Sequence, residues 1–253
     1  MTDSADSREA LAEGSLISHL IELRDRLLRA VIAIAVLFIP CAIYSSELFT
    51  IIADPLISKM PAGTSMIATS LVSPFMAPLK LALLTALFLA MPVVLYQAWA
   101  FVAPGLYRHE KRFAIPLVVS SIILFYAGVA FAYFVVFPLM FAFLTSAPPT
   151  GVKMMTDISN YLDFVLLLFF AFGIAFEIPV ATVLLASTGL VKIDTMQKNR
   201  GYVVLGIFIV AAFLTPPDAV SQCFMAVPMY VLYEAGIVMS RVLLKRKVTD
   251  PQD

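Results

Sequence analysis

Charge is scarce in this sequence. Only 13% of its 253 residues are acidic or basic, seventeen of each sign, for a formal net charge of zero. A soluble domain carries about a quarter. A sparse, balanced charge gives no global field for nucleic acid, which excludes it as a partner. Cysteine is nearly absent too. Cys41 and Cys223 both lie inside apolar runs, so they form neither a disulfide framework nor a metal ladder and read as small buried hydrophobes.

The motifs of common catalysts are also missing. The only histidines are His19 and His109, with no H-E-x-x-H, so a histidine metal site is excluded. There is no G-x-x-x-x-G-K-[ST] phosphate loop, no G-x-S-x-G elbow and no Ser/His/Asp set. The expectation is a protein that is not an enzyme and needs no cofactor or metal. The first 26 residues carry Asp3, Asp6, Glu9 and Glu13 where a secretory signal would be basic. The first apolar run begins only near Leu27 and no small-x-small cleavage site follows it, so it is expected to stay as an anchor. Internal repeats and a large soluble domain are absent.

Apolar residues dominate what is present, at 61% of the chain with a mean hydropathy of +0.96. This composition predicts an all-α polytopic membrane protein in one membrane domain over 1–253. Residues 1–14 read as a disordered N-terminus. Residues 15–26 read as a separate amphipathic helix on the membrane surface, capped by Ser15. Its stripe is Leu16, Leu20, Leu23 and Leu27, and Glu22 can pair with Arg26 one turn on.

Six transmembrane helices are expected at about 27–44, 74–99, 113–137, 161–185, 202–214 and 219–239, with a tail over 241–253. Pro40 is expected to kink the first and Pro138 to end the third. The connection over 45–73 reads as an ordered cap with short helices, and 144–160 as a second loop on the same side.

Basic residues orient the chain. Arg8, Arg24, Arg26 and Arg29 belong to the N-terminal region, at or before the start of span 1. Arg108, Lys111 and Arg112 follow span 2. Lys192, Lys198 and Arg200 follow span 4, and Arg241, Lys245, Arg246 and Lys247 follow span 6. These are fourteen of the seventeen basic residues, all on one face. The positive-inside rule makes this N-in/C-in, with both termini cytoplasmic.

Tyr202–Leu214 is 13 residues long. At ~1.5 Å per residue it covers about 20 Å, short of the ~30 Å hydrocarbon core. The last two helices (5 and 6) are therefore expected to be short. They would leave a concave, glove-like bundle with Glu177 exposed toward its hollow wall.

The densest polar stretch between spans is Ala98–Arg112, with Glu110 among Arg108, Lys111 and Arg112. The topology puts Glu22 on the same face, also just before a span begins. Two readings stand on physics alone. The pair are solvated carboxylates that offset neighbouring cations. Alternatively, they receive a doubly cationic ligand, for which the planar fork of a guanidinium fits a carboxylate through two parallel bonds that lysine cannot reproduce.

The motifs HLIELRDRL (19–27), MIATSLVSPF (66–75), YQAWAFVAPGLYRHEKR (96–112), FAYFVVFPL (131–139), FGIAFEIPVA (172–181) and LTPPDAVSQ (214–222) resemble the TatC family. The likeness runs from about Ser15 to Arg241. It implies the six-span core of the twin-arginine translocase of the bacterial cytoplasmic membrane, which moves folded proteins using the proton-motive force. On that resemblance Glu22 and Glu110 receive the twin arginines of a signal peptide. Leu23, Arg24, Phe101, Ala103, Pro104, Leu106 and Tyr107 form the surrounding patch. Glu177 is the intramembrane polar site. Thr215, Asp218 and Gln222 form a polar cluster for docking TatB and TatA. Other implied partners are further copies of the chain and the lipid bilayer. Gly105 departs from the alanine frequent in the family and is expected to loosen the loop slightly.

A secondary transporter for an ion or small solute, coupled through Glu177, is the competing reading. Transporters show repeats and midplane polar groups; here one central acid and a polar face favour docking.

Overall fold

Long uninterrupted apolar runs can satisfy their backbone in a bilayer only as helices or as a closed barrel, and this chain takes the first course. The structure is a computed structural model that describes residues 3–57, 67–106, 114–146, 155, 157–215 and 218–249; side chains are described within 17–51, 67–101, 115–143, 155, 157–215 and 218–243. The helices are α1 (Asp3–Ile43), α2 (Ser45–Ile57), α3 (Ser73–Leu106), α4 (Ala114–Phe131), α5 (Phe137–Ser146), α6 (Ile158–Ala175), α7 (Ile178–Ser187), α8 (Ile193–Lys198), α9 (Arg200–Leu214) and α10 (Ala219–Thr249). Among the described residues the only β pairing is an isolated bridge between Ile67 and Asp157. Among the described residues five helical stretches are long and apolar enough to cross a membrane, and Arg200–Leu214 is a shorter apolar helix.

Several sequence expectations are corrected. Helix α1 starts at Asp3 and runs unbroken to Ile43. Among the described residues, 3–14 and the stretch 15–26 expected as a separate surface helix therefore belong to one helix with the first span, and Ser15 stands inside it rather than at its start. A lone Gly14 is too weak a breaker to stop a helix continued by good formers.

Pro138 does not end the third span. A π-helical turn at Ala132–Val136 precedes it, in which the Phe137 N–H donates to the Ala132 carbonyl, and α5 continues beyond. A wide turn makes room where the proline ring removes a donor and crowds the carbonyl four residues back. Helix α9 is short, as expected, but α10 is not. It has 31 residues with a 25-residue apolar stretch, Ala219–Leu243. Cys223 is exposed on α10, whereas Cys41 is buried.

The chain forms two compact units, one of Met1–Ile51 with Pro78–Val118, the other of Ile52–Ala77 with Val119–Asp253. In the first, Leu37, Phe38 and Cys41 of α1 and Leu48 of α2 pack on Ala82 and Ala86 of α3. Alanine at every fourth position lets helix backbones approach closely.

In the second unit the span formed by α6 and α7 is central, with 56% of its apolar window buried. Close approach needs glycine at three places. A Cβ on Gly128 would strike the Phe172 carbonyl oxygen. One on Gly173 would lie 2.5 Å from the Phe125 ring, and one on Gly236 would lie 2.9 Å from the Pro179 Cα and from Thr182. Tyr233 and Ile237 of α10 pack with Ala186 and Met196, and the Tyr233 hydroxyl donates to the Met196 carbonyl at 2.9 Å. Arg200 pairs with Glu234 at 2.6 Å, and the Tyr230 hydroxyl donates to the same carboxylate at 2.9 Å.

One clasp in this unit was not foreseen. Asp157 caps α6 by accepting from the Ser159 and Asn160 N–H groups at 2.9 and 3.1 Å. Its other oxygen accepts from the Thr69 hydroxyl at 2.6 Å and the Thr69 N–H at 3.0 Å. The Ile158 N–H donates to the Ile67 carbonyl at 3.0 Å. The hydroxyl of Thr69, then its N–H and the α6 amides, hold the Asp157 carboxyl down to about 2 from its ordinary 3.8.

Candidate functional site

Three groups of polar residues stand out, and the first lies on α1. His19, Glu22 and Arg26 follow i, i+3, i+7, so they share one helical face. Arg26 donates to Glu22 Oε1 from Nε at 2.9 Å and from Nη2 at 2.5 Å. Among the described residues no hydrogen bond goes to Oε2, and the Glu22 side chain remains 36% exposed. The guanidinium thus engages one oxygen and leaves the other open to a second donor.

The His19 ring stacks on Phe101 of α3, with centroids 4.3 Å apart and an interplanar angle of 19°. That contact brings the last turns of α3 to the Glu22 face within the first unit.

The expected loop Ala98–Arg112 begins later than the sequence suggested. Residues 98–106 are the end of α3, so Phe101, Ala103, Pro104 and Leu106 stand on a helix. Tyr107 and Glu110 lie outside the described residues. Glu110 is four residues past Leu106, which limits it to about 14 Å of extended chain. Leu23 is 42% exposed. Arg24 turns away from Glu22 and bonds Asp25 through Nε and Nη2 at 2.9 and 2.8 Å.

The second group is at the break in span 4. Pro179 has no N–H to donate to the Ala175 carbonyl, so α6 stops and α7 restarts two residues on. Glu177 occupies that break. Its carboxylate oxygens are buried, in contrast to the exposed position the sequence suggested. No hydrogen bond of good geometry reaches them among the described residues; the Ser121 hydroxyl of α4 is the polar group that faces them. A carboxylate at this depth calls for a donor, a cation or water beside it.

The third group is the turn between α9 and α10. Each residue has a definite local role. The Thr215 hydroxyl donates to the Ala211 carbonyl at 2.9 Å. Asp218 accepts from the Ser221 N–H at 2.7 Å, as an N-cap does. Gln222 Nε2 donates to the Phe208 carbonyl at 2.9 Å and so ties α10 to α9. The cluster assigned to docking therefore also closes the hairpin.

Sequence reasoning missed the His19–Phe101 stack, Ser121 opposite Glu177, and the Asp157 clasp. The last had a signal, an aspartate directly before a long apolar run, which is a helix start. The first two join residues far apart in the chain and leave no local mark. Among the described residues no cluster of His, Cys, Asp or Glu is suited to hold a metal ion.

Fold and sites together define a multi-pass helical membrane protein whose polar chemistry, among the described residues, lies on one face of α1, at the α9–α10 turn and at one break within a span. Comparison with known proteins sharpens this class. The family described as Sec-independent protein translocase protein (TatC) matches residues 18–228. A TatC of Azotobacter chroococcum mcd 1 is 54% identical over 237 residues, covering 94% of this chain and 92% of the relative. That of Escherichia coli strain K12 is 51% identical over 226 residues, covering 89% and 88%. A crystal structure of the twin arginine translocase receptor TatC superposes with a TM-score of 0.80 at 36% identity, covering 88% of this chain and 98% of that one.

The chain belongs to the TatC family. It is a multi-pass component of the Sec-independent protein translocase in a bacterial membrane, a transporter-like protein rather than a catalyst.

Proposed function

We propose that this chain is the twin-arginine signal-peptide receptor of its translocase. The single observation that carries the reading is the arrangement on α1. Glu22 is half-engaged by Arg26, with Oε2 open, on the face to which the His19–Phe101 stack draws the end of α3. Glu110 follows that end within a few residues.

In this reading the two carboxylates each take one guanidinium of the ligand. Phe101, Leu23 and Tyr107 supply apolar contact for the residues after the arginines, and Ala103, Pro104 and Leu106 shape the rim. Arg24, bonded to Asp25, sets the local charge rather than touching the ligand. The similarity to a chain described as a twin arginine translocase receptor supports the same role.

The remaining assignments follow the distribution of basic residues and the family. Both termini face the cytoplasm. TatB- and TatA-type single-span subunits dock beside the α9–α10 hairpin, whose turn Thr215, Asp218 and Gln222 hold rigid. Further copies of the chain join the complex, and the proton-motive force drives transport. Glu177, half-buried at a helix break, is the polar point that a partner helix meets within the bilayer.

The test is photo-crosslinking of a signal peptide with two consecutive arginines to membranes holding this chain. It is repeated with two lysines, and with Glu22→Ala and Glu110→Ala. Each lost charge-assisted contact costs about 1.5–3 kcal/mol, roughly ten- to a hundredfold in affinity. Equal crosslinking in every case removes the receptor reading.

A further inference from the structure

The clasp at Asp157 presents an apolar feature that the receptor reading does not use. Residues 70–72 form an ordered turn. The Val72 N–H donates to Ser70 Oγ at 3.3 Å, Ser73 N–H to the Ser70 carbonyl at 3.2 Å, and Phe75 and Met76 N–H to the Val72 carbonyl at 3.1 and 2.9 Å. Yet this well-bonded turn holds Leu71 outward at 99% exposure, with Val72, Phe75 and Met155 also exposed at 53%, 69% and 65%. An ordered backbone that shows a whole leucine to water forgoes the gain of burying it, unless water is not what surrounds it.

Chain distance decides what does. The apolar windows of two spans begin at Ser73 and Ile158. The Asp157 carboxylate and the Ile67–Ile158 hydrogen bond tie the approaches to both spans together. Both span starts therefore lie at one membrane boundary. Leu71 is two residues before the first span, a reach of at most ~7 Å. The polar boundary layer on each side of a bilayer is about 5–7 Å thick. Asp157 tolerates that depth because four donors already satisfy its carboxylate.

We propose that the 70–72 turn is a lipid hook: Leu71, flanked by Val72 and Phe75, inserts into the bilayer boundary, and the Thr69–Asp157 clasp holds it there. The occupant of this surface is lipid because the patch continues directly into two membrane-spanning helices. The inference needs only that the chain spans a bilayer, and it stands or falls separately from the receptor reading.

The experiment places a single tryptophan at the tip, Leu71→Trp in a Trp99→Phe background, in phosphatidylcholine vesicles with no other protein. Lipids brominated high on the acyl chain should quench its fluorescence by half or more. Iodide in the water should quench it several-fold less than it quenches free tryptophanamide. Adding Asp157→Ala should lower the lipid quenching and raise the iodide quenching, with helix content by circular dichroism unchanged. If that variant does not fold, Thr69→Val removes one clasp bond and should shift both signals the same way, by less. Strong iodide quenching with no bromolipid quenching overturns the proposal. Protection that appears only when a single-span partner subunit is added also overturns it, because the surface is then a protein-docking site. Lipid quenching that ignores both clasp variants overturns the role given to the clasp.

Discussion

Glu22 combines a structural pairing on α1 with the recognition role proposed for it. Arg26 takes its Oε1 through two N–H groups. That i, i+4 pair is partly exposed and contributes only about 0.3–0.5 kcal/mol to the helix. A ligand guanidinium can therefore compete for the carboxylate at little structural expense. Arg26→Gln is expected to leave folding unchanged within about 0.5 kcal/mol and to tighten arginine-peptide binding, as read by titration.

Asp157 behaves differently. Its folded pKa lies below its ordinary value, so the clasp contributes fully above pH about 4. The contribution is lost as pH falls toward about 2. Hydrogen exchange at the Ile158 amide should accelerate across that window, beyond the intrinsic pH trend, and Asp157→Asn should remove the extra acceleration.

At the scale of elements, the second unit depends on glycine contacts and proline-directed breaks. A Cβ at Gly128 meets a backbone oxygen and one at Gly236 meets the backbone at Pro179, so neither neighbour can yield by a side-chain rotation. Gly128→Ala and Gly236→Ala should each destabilise the folded chain by about 1–3 kcal/mol, seen as lower melting temperatures in detergent. Gly201→Ala, with nothing within 4 Å of its would-be Cβ, is the neutral control.

These elements also show what sequence makes legible. Apolar runs longer than a bilayer crossing mark spans unambiguously, so the helical membrane fold could be read directly. The break beside Glu177 was not foreseen, since span 4 reads as one run over 161–185, although Pro179 lacks the donor that would continue α6. Pro138 misled, because a π turn five residues long absorbs its ring where a simple rule ends the helix. The join between span 1 and the amphipathic segment before it was also misread, since amphipathic and apolar stretches can form one continuous helix when no breaker separates them. The Glu22 site was half legible. Spacing predicted its Arg26 partner, but the His19–Phe101 contact depends on packing between helices distant in sequence. The polar cluster at Thr215, Asp218 and Gln222 was named from the family resemblance, and its intrachain bonds could not be read from the sequence.

Over the whole molecule, the mismatch of helix lengths is the physical feature with the widest consequence. Helix α9 has 15 residues, about 22 Å at ~1.5 Å per residue, against ~30 Å of hydrocarbon. Mismatch costs fractions of a kcal/mol per Å, so the chain should be more stable in bilayers of short acyl chains than of long ones. Thermal unfolding in proteoliposomes of graded chain length reads this directly. Extending α9 by a turn of leucine should move the optimum toward thicker bilayers.

The central claim is that two carboxylates of this translocase component receive two arginines. It is tested most directly by a double-mutant cycle on signal-peptide affinity, pairing Glu22→Gln with replacement of each ligand arginine by lysine in turn, and Glu110→Gln likewise. The account predicts that each glutamate is coupled to one arginine, by about 1.5–3 kcal/mol. Once its glutamate is neutralised, that arginine is no longer distinguished from lysine. Coupling near zero for both glutamates, with the arginine preference intact in Glu22→Gln and Glu110→Gln, would contradict it.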